Sequence, residues 1–87
     1  MVKNFDINGK TIHFVGIGGT GVSALASIAI DRGCKVQGSD ASKSKYTDEL
    51  EKKGCKIYFK HSGENISNNI NLLVYSGAIK KKQSRTY

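Results

Sequence analysis

Four glycines in one short segment of this 87-residue chain have a spacing suited to binding a phosphate group through the backbone. Residues 16–21 read Gly-Ile-Gly-Gly-Thr-Gly, and Gly16, Gly18 and Gly21 have the G-x-G-x-x-G spacing of a dinucleotide-binding turn. In such a turn the first glycine allows a tight bend, the second lets backbone N–H groups approach a diphosphate, and the third lets helix and strand pack closely. The helix that follows offers unpaired N–H donors and partial positive charge. The segment predicts a diphosphate-binding turn, and the alternative is a glycine-rich turn needed for packing alone.

Two further residues narrow the chemistry of this turn. Asp40 lies where the acid of a dinucleotide-binding domain accepts hydrogen bonds from ribose hydroxyls, although it could instead only cap the following turn. Val22 stands where a nucleoside-triphosphate P-loop, G-x-x-x-x-G-K-[ST], has its lysine. The turn is therefore expected to bind a diphosphate and not to hydrolyse ATP.

Apolar runs and glycines alternate along the chain in a way that predicts strands separated by helices. Gly33 and Gly54 are expected to end the two helices. The predicted strands span residues 11–15, 35–38, 56–58 and 70–75, and the predicted helices 20–32 and 46–53. The buried face of the first helix is expected to hold Val22, Leu25, Ala26 and Ala29. This order predicts an α/β fold, a Rossmann-like doubly wound sheet of about four parallel strands with flanking helices.

Composition limits the classes of partner and compartment. The net charge is +7, but four positive charges lie in the last eight residues and no aromatic residues interleave with them as in a nucleic-acid surface. We therefore expect a solvated basic tail, with no nucleic-acid or membrane partner. The chain has no 18-residue apolar stretch and no hydrophobic signal core, which favours the cytoplasm. Cys34 and Cys55 each follow a helix-ending glycine, and we expect reduced structural thiols without a disulfide or metal site.

Ligands of a doubly wound sheet bind outside the carboxyl ends of the strands, where the strand order reverses. Besides the glycine turn, three groups are expected at this edge: Ser39 with Asp40, then His61, then residues 76–78. His61 could donate to a phosphate or ribose, stack on a base, or simply be solvated. Residues 76–78 offer backbone amides and one hydroxyl, or form an ordinary turn.

Four ordered motifs resemble one known family. Residues 12–23, residues 36–40, His61 and residues 74–79 are similar to the N-terminal domain of UDP-N-acetylmuramate–L-alanine ligases, in the Mur ligase family, and the match runs from about residue 10 to residue 80. The resemblance implies a Rossmann-like domain that holds the UDP part of UDP-N-acetylmuramic acid during peptidoglycan synthesis for the bacterial cell wall. In that family a central domain binds ATP and magnesium, and a C-terminal domain holds the amino acid. This chain contains neither, so the resemblance implies substrate binding with no catalytic residue, metal or cofactor of its own.

The resemblance also implies roles for individual residues. The glycine turn would hold the diphosphate, Asp40 with Ser39 beside it would bind the ribose, and the later loops would line the uridine pocket. The residues implied are Gly16, Gly18, Gly19, Thr20 and Gly21 for the diphosphate, Ser39 and Asp40 for the ribose, and His61, Ser76, Gly77 and Ala78 for the uridine.

The chain departs from the family pattern at two places. Gly77 stands where the family usually has a serine, and residues 81–87 replace the family's Asn-Pro-Glu segment. We therefore expect a domain over residues 1–80, a basic tail over 81–87, and a sheet that lacks its last strand and has one unprotected edge prone to self-association.

Other assignments remain open at this point. The sibling murein peptide ligases are less similar, because they tend to interrupt the glycine turn. An NAD(P)-binding Rossmann domain of an oxidoreductase or of a ligand-gated regulator would also need the glycine turn and Asp40. A fold remnant without a ligand is the third possibility.

Overall fold

The computed structural model describes residues 9–60, 69–75 and 78–81, the last four by their backbone alone. These residues form five strands and two helices. In chain order they are β1 (Thr11–Val15), α1 (Thr20–Asp31), β2 (Lys35–Ser39), α2 (Lys45–Lys52), β3 (Lys56–Tyr58), β4 (Leu72–Tyr75) and β5 (Ala78–Lys81).

The strands form one sheet in the order β3-β2-β1-β4-β5. Strand β1 lies at the centre and pairs in parallel with β2 on one side and β4 on the other, and β3 pairs in parallel with β2. The strand order therefore reverses between β1 and β4, which is where a doubly wound sheet binds ligands. The predicted Rossmann-like α/β fold with four parallel strands is confirmed.

The expectation that no strand follows β4 is wrong. Strand β5 pairs antiparallel with β4, from Leu72 opposite Lys81 to Tyr75 opposite Ala78. Only two residues separate these strands, and such a short connection suits antiparallel neighbours. The edge of β4 that was expected to be unprotected is therefore paired, and the tail predicted from residue 81 begins no earlier than residue 82, outside the described residues.

Most element boundaries lie within two residues of those predicted. Strands β1 and β3 have the predicted bounds, whereas α1 and α2 each end one residue early and β4 begins at Leu72. Strand β2 extends one residue further because Ser39 still pairs with Val15 and with Tyr58. Gly33 and Gly54, at φ of 87° and 94°, end the helices in the left-handed region that glycine enters without strain.

The hydrophobic core lies between the two helices and one face of the sheet. Alternate residues of β1, Ile12 and Phe14, face this core, together with their register partners on β2 and β4. The buried cluster comprises Ile12, Phe14, Ile17, Ala26, Ala29, Cys34, Leu50, Cys55, Ile57 and Val74.

The predicted buried face of α1 is wrong at one position. Leu25 is 50% exposed, as is its helical neighbour Ile28 at 51%, whereas Ala26 and Ala29 are buried. One residue turns an α-helix by about 100°, so a helix that points Ala26 at the sheet carries Leu25 to its flank. The small alanines make the sheet contact in place of the larger leucine.

A polar pair lies on the other face of the sheet. His13 is almost fully buried, and the side-chain amide of Gln37 lies 2.7 Å from its Nδ1. The Gln37 amide nitrogen donates to Nδ1, so a neutral His13 ring carries its proton on Nε2. This contact ties β1 to β2 from the face opposite the helices.

Neither cysteine forms a disulfide, and both are buried, Cys34 immediately before β2 and Cys55 immediately before β3. Burial raises the pKa of the Cys55 thiol to about 11, with a smaller contribution from the charge of Glu51. Within the described ranges, no helix is both long and apolar enough to span a bilayer.

We predict that Cys55 resists alkylation in the folded protein. Because its pKa is raised from 9.0 to about 11, its thiolate fraction at pH 8 is about a hundredfold below that of an ordinary thiol, and the thiolate is the nucleophile. The rate of iodoacetamide labelling, followed by mass spectrometry in a Cys34→Ala background, measures this. In urea the rate should rise to that of a free thiol. Equal rates in the two states would show that Cys55 is neither buried nor perturbed.

Candidate functional site

The glycine turn after β1 is held against the end of β2. Gly16 has a φ of 75°, a conformation that favours glycine, as predicted for the first residue of the tight turn. The backbone N–H groups of Gly16 and Ile17 both donate to the carbonyl of Ser39, at 2.8 and 3.0 Å. The N–H of Gly19 donates back to the carbonyl of Gly16 at 2.9 Å. Three of the N–H groups of the turn are therefore used within the protein.

Asp40 accepts a hydrogen bond from a fourth backbone N–H group of the glycine turn. Its Oδ2 accepts a hydrogen bond from the N–H of Gly18 at 2.8 Å, and its Oδ1 accepts one from the N–H of Ser42 at 3.0 Å. The Asp40 backbone N–H donates to the carbonyl of Tyr58 at 3.0 Å, which connects this position to β3. The structure thus brings the glycine turn, Ser39 and Asp40 together, as predicted.

The first turn of α1 has donors that the protein itself does not use. The N-cap residue is Gly19, in an extended conformation, and no side chain caps the helix. Among the described residues, no acceptor faces the backbone N–H groups of Thr20, Gly21 and Val22, whereas Ser23 donates to the carbonyl of Gly19. Three N–H donors and the positive end of the helix dipole are therefore open to an anion at this edge of the sheet.

Two glycines of the fingerprint have surroundings that the spacing did not predict. A Cβ on Gly18 would lie 2.9 Å from Asp40 Oδ2 and 3.0 Å from Thr47 Cγ2, so Gly18 makes room for the protein's own side chains. A Cβ on Gly21 would meet nothing within 4 Å, so close packing of helix on strand does not require this glycine. The packing role predicted for Gly21 is therefore wrong, whereas the approach of a diphosphate predicted for Gly18 stays a prediction, because spacing alone does not reveal which atoms face each glycine.

The glycine required for close packing is in β2. A Cβ on Gly38 would lie 2.5 Å from Ile17 Cδ1 and 2.6 Å from the carbonyl oxygen of Phe14. The fully buried side chain of Ile17 therefore rests directly on the backbone of β2. This contact fixes the height of the glycine turn above the sheet.

Thr47 is a positioning residue in the first turn of α2. Ser44 is the N-cap of α2, and its side chain and that of Thr47 form a reciprocal capping box. The Thr47 hydroxyl also donates to the carbonyl of Ser44 at 2.9 Å, which leaves the Thr47 methyl group facing Gly18. The S-x-x-T spacing indicates the cap, but nothing in it indicates the contact with the glycine turn.

The remaining predicted residues are located only in part. His61, Ser76 and Gly77 lie outside the described residues. Ala78 is the first residue of β5 and not part of a free turn, and its side chain is not described. The uridine-binding roles implied for these residues stay predictions.

A groove that the sequence did not predict lies between α1 and α2. It has a volume of about 550 Å³ and is lined by Thr20, Ser23 and Ser27 on α1, by Tyr46 and Glu49 on α2 and by Lys53 just after α2, among others. Lys53 spans it, because its Nζ donates to Ser27 Oγ at 2.6 Å and pairs with Asp31 at 2.8 Å. The groove shares Thr20 with the first turn of α1. In the described residues, no three His, Cys, Asp or Glu side chains cluster closely enough to hold a metal ion.

Comparison with known proteins identifies the family. The model of the Mur ligase family, catalytic domain, matches residues 11–86. The chain belongs to the Mur ligase family.

The curated relatives are named UDP-N-acetylmuramate–L-alanine ligases. The chain is 48% identical to that of Clostridium kluyveri over 79 residues, which cover 90% of this chain and 17% of the relative. It is 52% identical to that of Dictyoglomus turgidum and 49% identical to that of Campylobacter jejuni, each over 73 residues and 84% of this chain. The chain thus spans about one sixth of the length of these Mur ligases, whose N-terminal domain it matches.

A solved structure has the same fold with a different activity. The precorrin-2 dehydrogenase SirC superposes with a TM-score of 0.69 at 25% identity, over 83% of this chain and 36% of its own. The shared fold alone does not separate a ligase domain from a dehydrogenase domain. The sequence identity of about one half does separate them, and it supports the Mur ligase assignment over the oxidoreductase alternative.

We predict opposite effects on stability for two glycines of the turn. Gly18→Ala should destabilise the protein by about 1–3 kcal/mol, because the new methyl group displaces the Asp40 carboxylate and presses on Thr47. Gly21→Ala adds a methyl group in open space on a helix and should be neutral or stabilising by up to about 1 kcal/mol. Urea unfolding followed by circular dichroism measures both. Equal free energies of unfolding for the two variants would contradict the contact between Gly18 and Asp40.

Proposed function

We propose that this chain is the UDP-N-acetylmuramic acid-binding domain of an ATP-dependent ligase that adds L-alanine to UDP-N-acetylmuramate in peptidoglycan synthesis. The proposal rests above all on the uncapped first turn of α1, which presents three backbone N–H groups where the strand order reverses. A diphosphate is the group in this substrate that fits such donors. Membership of the Mur ligase family supports the choice of substrate.

The diphosphate would be bound by Thr20 and Gly21, together with Val22, which the fingerprint does not single out. Their N–H groups would donate charge-assisted hydrogen bonds to its oxygens, and the helix dipole would favour its negative charge. Gly16, Gly18 and Gly19 would act indirectly, since their N–H groups already have partners within the protein. Their task is to hold the turn in the shape that presents the donors.

The nucleoside would extend across the ends of the neighbouring strands. Asp40 would accept hydrogen bonds from the ribose hydroxyls through the lone pairs that Gly18 and Ser42 leave unused. Ser39 would lie beside it, and its carbonyl already anchors the turn. In the family pattern, His61 and residues 76–78 would line the uridine pocket.

Ligation itself would take place on other domains of the same enzyme. A central domain would bind ATP and magnesium and activate the substrate carboxylate as an acyl phosphate, and a C-terminal domain would hold the L-alanine whose amine attacks it. This chain would supply no catalytic residue, and it contains no G-x-x-x-x-G-K-[ST] sequence. The cytoplasm is the proposed location, and neither nucleic acid nor membrane is a proposed partner.

Titration of the isotope-labelled chain by NMR tests the substrate. UDP-N-acetylmuramic acid should shift the amide signals of Thr20, Gly21 and Val22 saturably, and NAD at equal concentration should not. Shifts with NAD alone would overturn the proposal in favour of a redox or regulatory domain. A folded spectrum that neither ligand changes would show that the chain has kept the architecture of the family without its binding function.

Removal of one N–H group tests the binding mode within the same experiment. Thr20→Pro deletes the donor at the first helical position, where proline is tolerated, and the extended conformation of Gly19 suits a residue before proline. The loss of one hydrogen bond to a charged group should cost about 1.5–3 kcal/mol of binding, or about tenfold or more in Kd. Thr20→Ala, which keeps the N–H and removes the hydroxyl, is the control. Equal affinities of the two variants would exclude this N–H from the site.

A further inference from the structure

Two side chains from outside the glycine turn lie next to Gly18, and they hold it in different ways. Asp40 accepts its N–H group at 2.8 Å. Thr47 presents only a methyl group, and a Cβ on Gly18 would lie 3.0 Å from that carbon, Cγ2. Because a Cβ lies about 1.5 Å from its Cα, the methyl carbon is within about 4.5 Å of the Gly18 Cα, which is contact distance. Thr47 therefore supports Gly18 by packing, from the side of α2.

Hydrogen bonds to the backbone of Ser44 keep the Thr47 methyl group on Gly18. The hydroxyl on the same Cβ accepts a hydrogen bond from the Ser44 N–H and donates one to the Ser44 carbonyl, both at 2.9 Å. Rotation about the Cα–Cβ bond of Thr47 would break both hydrogen bonds. The Thr47 side chain is fully buried, and Leu50, one turn further along α2, anchors the helix in the core. The cap of α2 thus fixes the position of the methyl group.

A shift of Gly18 would be passed directly to the donors of the anion site. The next residue, Gly19, is the N-cap of α1, and the N–H groups of residues 20–22 follow it. Consecutive Cα atoms are only about 3.8 Å apart, so Gly18 cannot move without reorienting the N-cap. Hydrogen bonds weaken steeply as the angle at the donor departs from linear, so a reoriented first turn would bind an anion less well.

We propose that Thr47 is a positioning residue for the anion site, whose methyl group, fixed by the cap of α2, holds Gly18 where the first turn of α1 presents its N–H donors to a diphosphate. This inference rests on the proposed function, since it concerns the same site. Thr47 has no exposed surface, so it acts on the ligand only through Gly18. The affinity of the site is therefore set in part by the neighbouring helix α2.

Two substitutions of Thr47 separate its methyl group from its hydroxyl. Thr47→Ser keeps the hydroxyl with both hydrogen bonds and removes the methyl group, whereas Thr47→Val keeps the methyl group and removes the hydroxyl. UDP-N-acetylmuramic acid is titrated calorimetrically into each variant under conditions where circular dichroism shows the variant to be folded. Thr47→Ser should bind about three- to tenfold more weakly, the effect of one lost methyl contact. Thr47→Val should bind within about twofold of the unaltered protein, although the loss of the capping hydrogen bonds lowers its free energy of unfolding.

Ser44→Ala is a second control and replaces Thr47→Val if that variant does not fold. It removes the side chain that accepts the Thr47 N–H, but the Thr47 hydroxyl keeps its two hydrogen bonds, because both are made with the Ser44 backbone. Its affinity should also stay within about twofold of the unaltered protein. Equal weakening in Thr47→Ser and in a control overturns the proposal, because loosening of α2 as a whole would then explain both. Unchanged affinity in Thr47→Ser overturns it as well.

Hydrogen exchange followed by NMR measures the same contact without a ligand. The Gly18 amide is protected by its hydrogen bond to Asp40, whereas that of Phe14 lies in β1 at the centre of the sheet. The ratio of the two exchange rates therefore measures local opening of the glycine turn apart from changes in overall stability. Thr47→Ser should raise this ratio about three- to tenfold, and Ser44→Ala should leave it unchanged. An equal rise in both variants contradicts the proposal.

The two measurements separate this inference from the proposed function. If the unaltered protein binds UDP-N-acetylmuramic acid and Thr47→Ser leaves the exchange ratio unchanged, the inference fails and the proposed function stands, whatever the affinity of the variant. If the unaltered protein does not bind UDP-N-acetylmuramic acid but Thr47→Ser alone raises the ratio, the proposed substrate fails and the support of Gly18 by Thr47 stands. Absence of binding together with an unchanged ratio refutes both.

Discussion

The attachment of the β1–α1 turn to the end of β2 is the constraint on which the rest of the site depends. The carbonyl of Ser39 accepts two successive N–H groups of the turn, and the carboxylate of Asp40 accepts the next. Ile17, seated on Gly38, fixes the same turn from the core side. Because both contacts are made with β2, the starting point of α1 is set by the neighbouring strand. The unsatisfied first-turn N–H groups therefore emerge where the strand order reverses, and not elsewhere along the sheet.

Local signals predicted most of the fold. Strands β1 and β3 could be bounded from their apolar runs, and both helices end at glycines because only the left-handed region continues the chain there. Strand β5 could not be predicted, because its four residues, two of them lysines, lack a strand pattern and pair only because the edge of β4 is available. The exposure of Leu25 could not be predicted either, because helix periodicity leaves the rotation of α1 about its axis undecided by about one residue.

The candidate site could be predicted at the level of which segments meet, but not at the level of which atoms remain available. The G-x-G-x-x-G spacing and Asp40 correctly placed two loops together. The spacing could not show that Gly18 donates to the protein's own acid, nor that Gly21 faces open space. Such information depends on the positions of Asp40, which follows β2, and of Thr47, which lies on α2. A fingerprint therefore locates an anion site, whereas an inventory of hydrogen bonds is needed to say which donors serve the anion.

These considerations also explain why fold similarity and family membership differ in what they say about function here. The first turn of α1 offers only N–H groups and a helix dipole, which any diphosphate can use. The fold that this chain shares with a dehydrogenase therefore does not decide which diphosphate binds. Discrimination between ligands must come from side chains around that common anchor. Asp40 is one such side chain, because its carboxylate lies beside that anchor and accepts the N–H group of Gly18. The uridine-binding roles proposed for His61 and for residues 76–78 would supply that discrimination, because in the chain these residues follow β3 and β4.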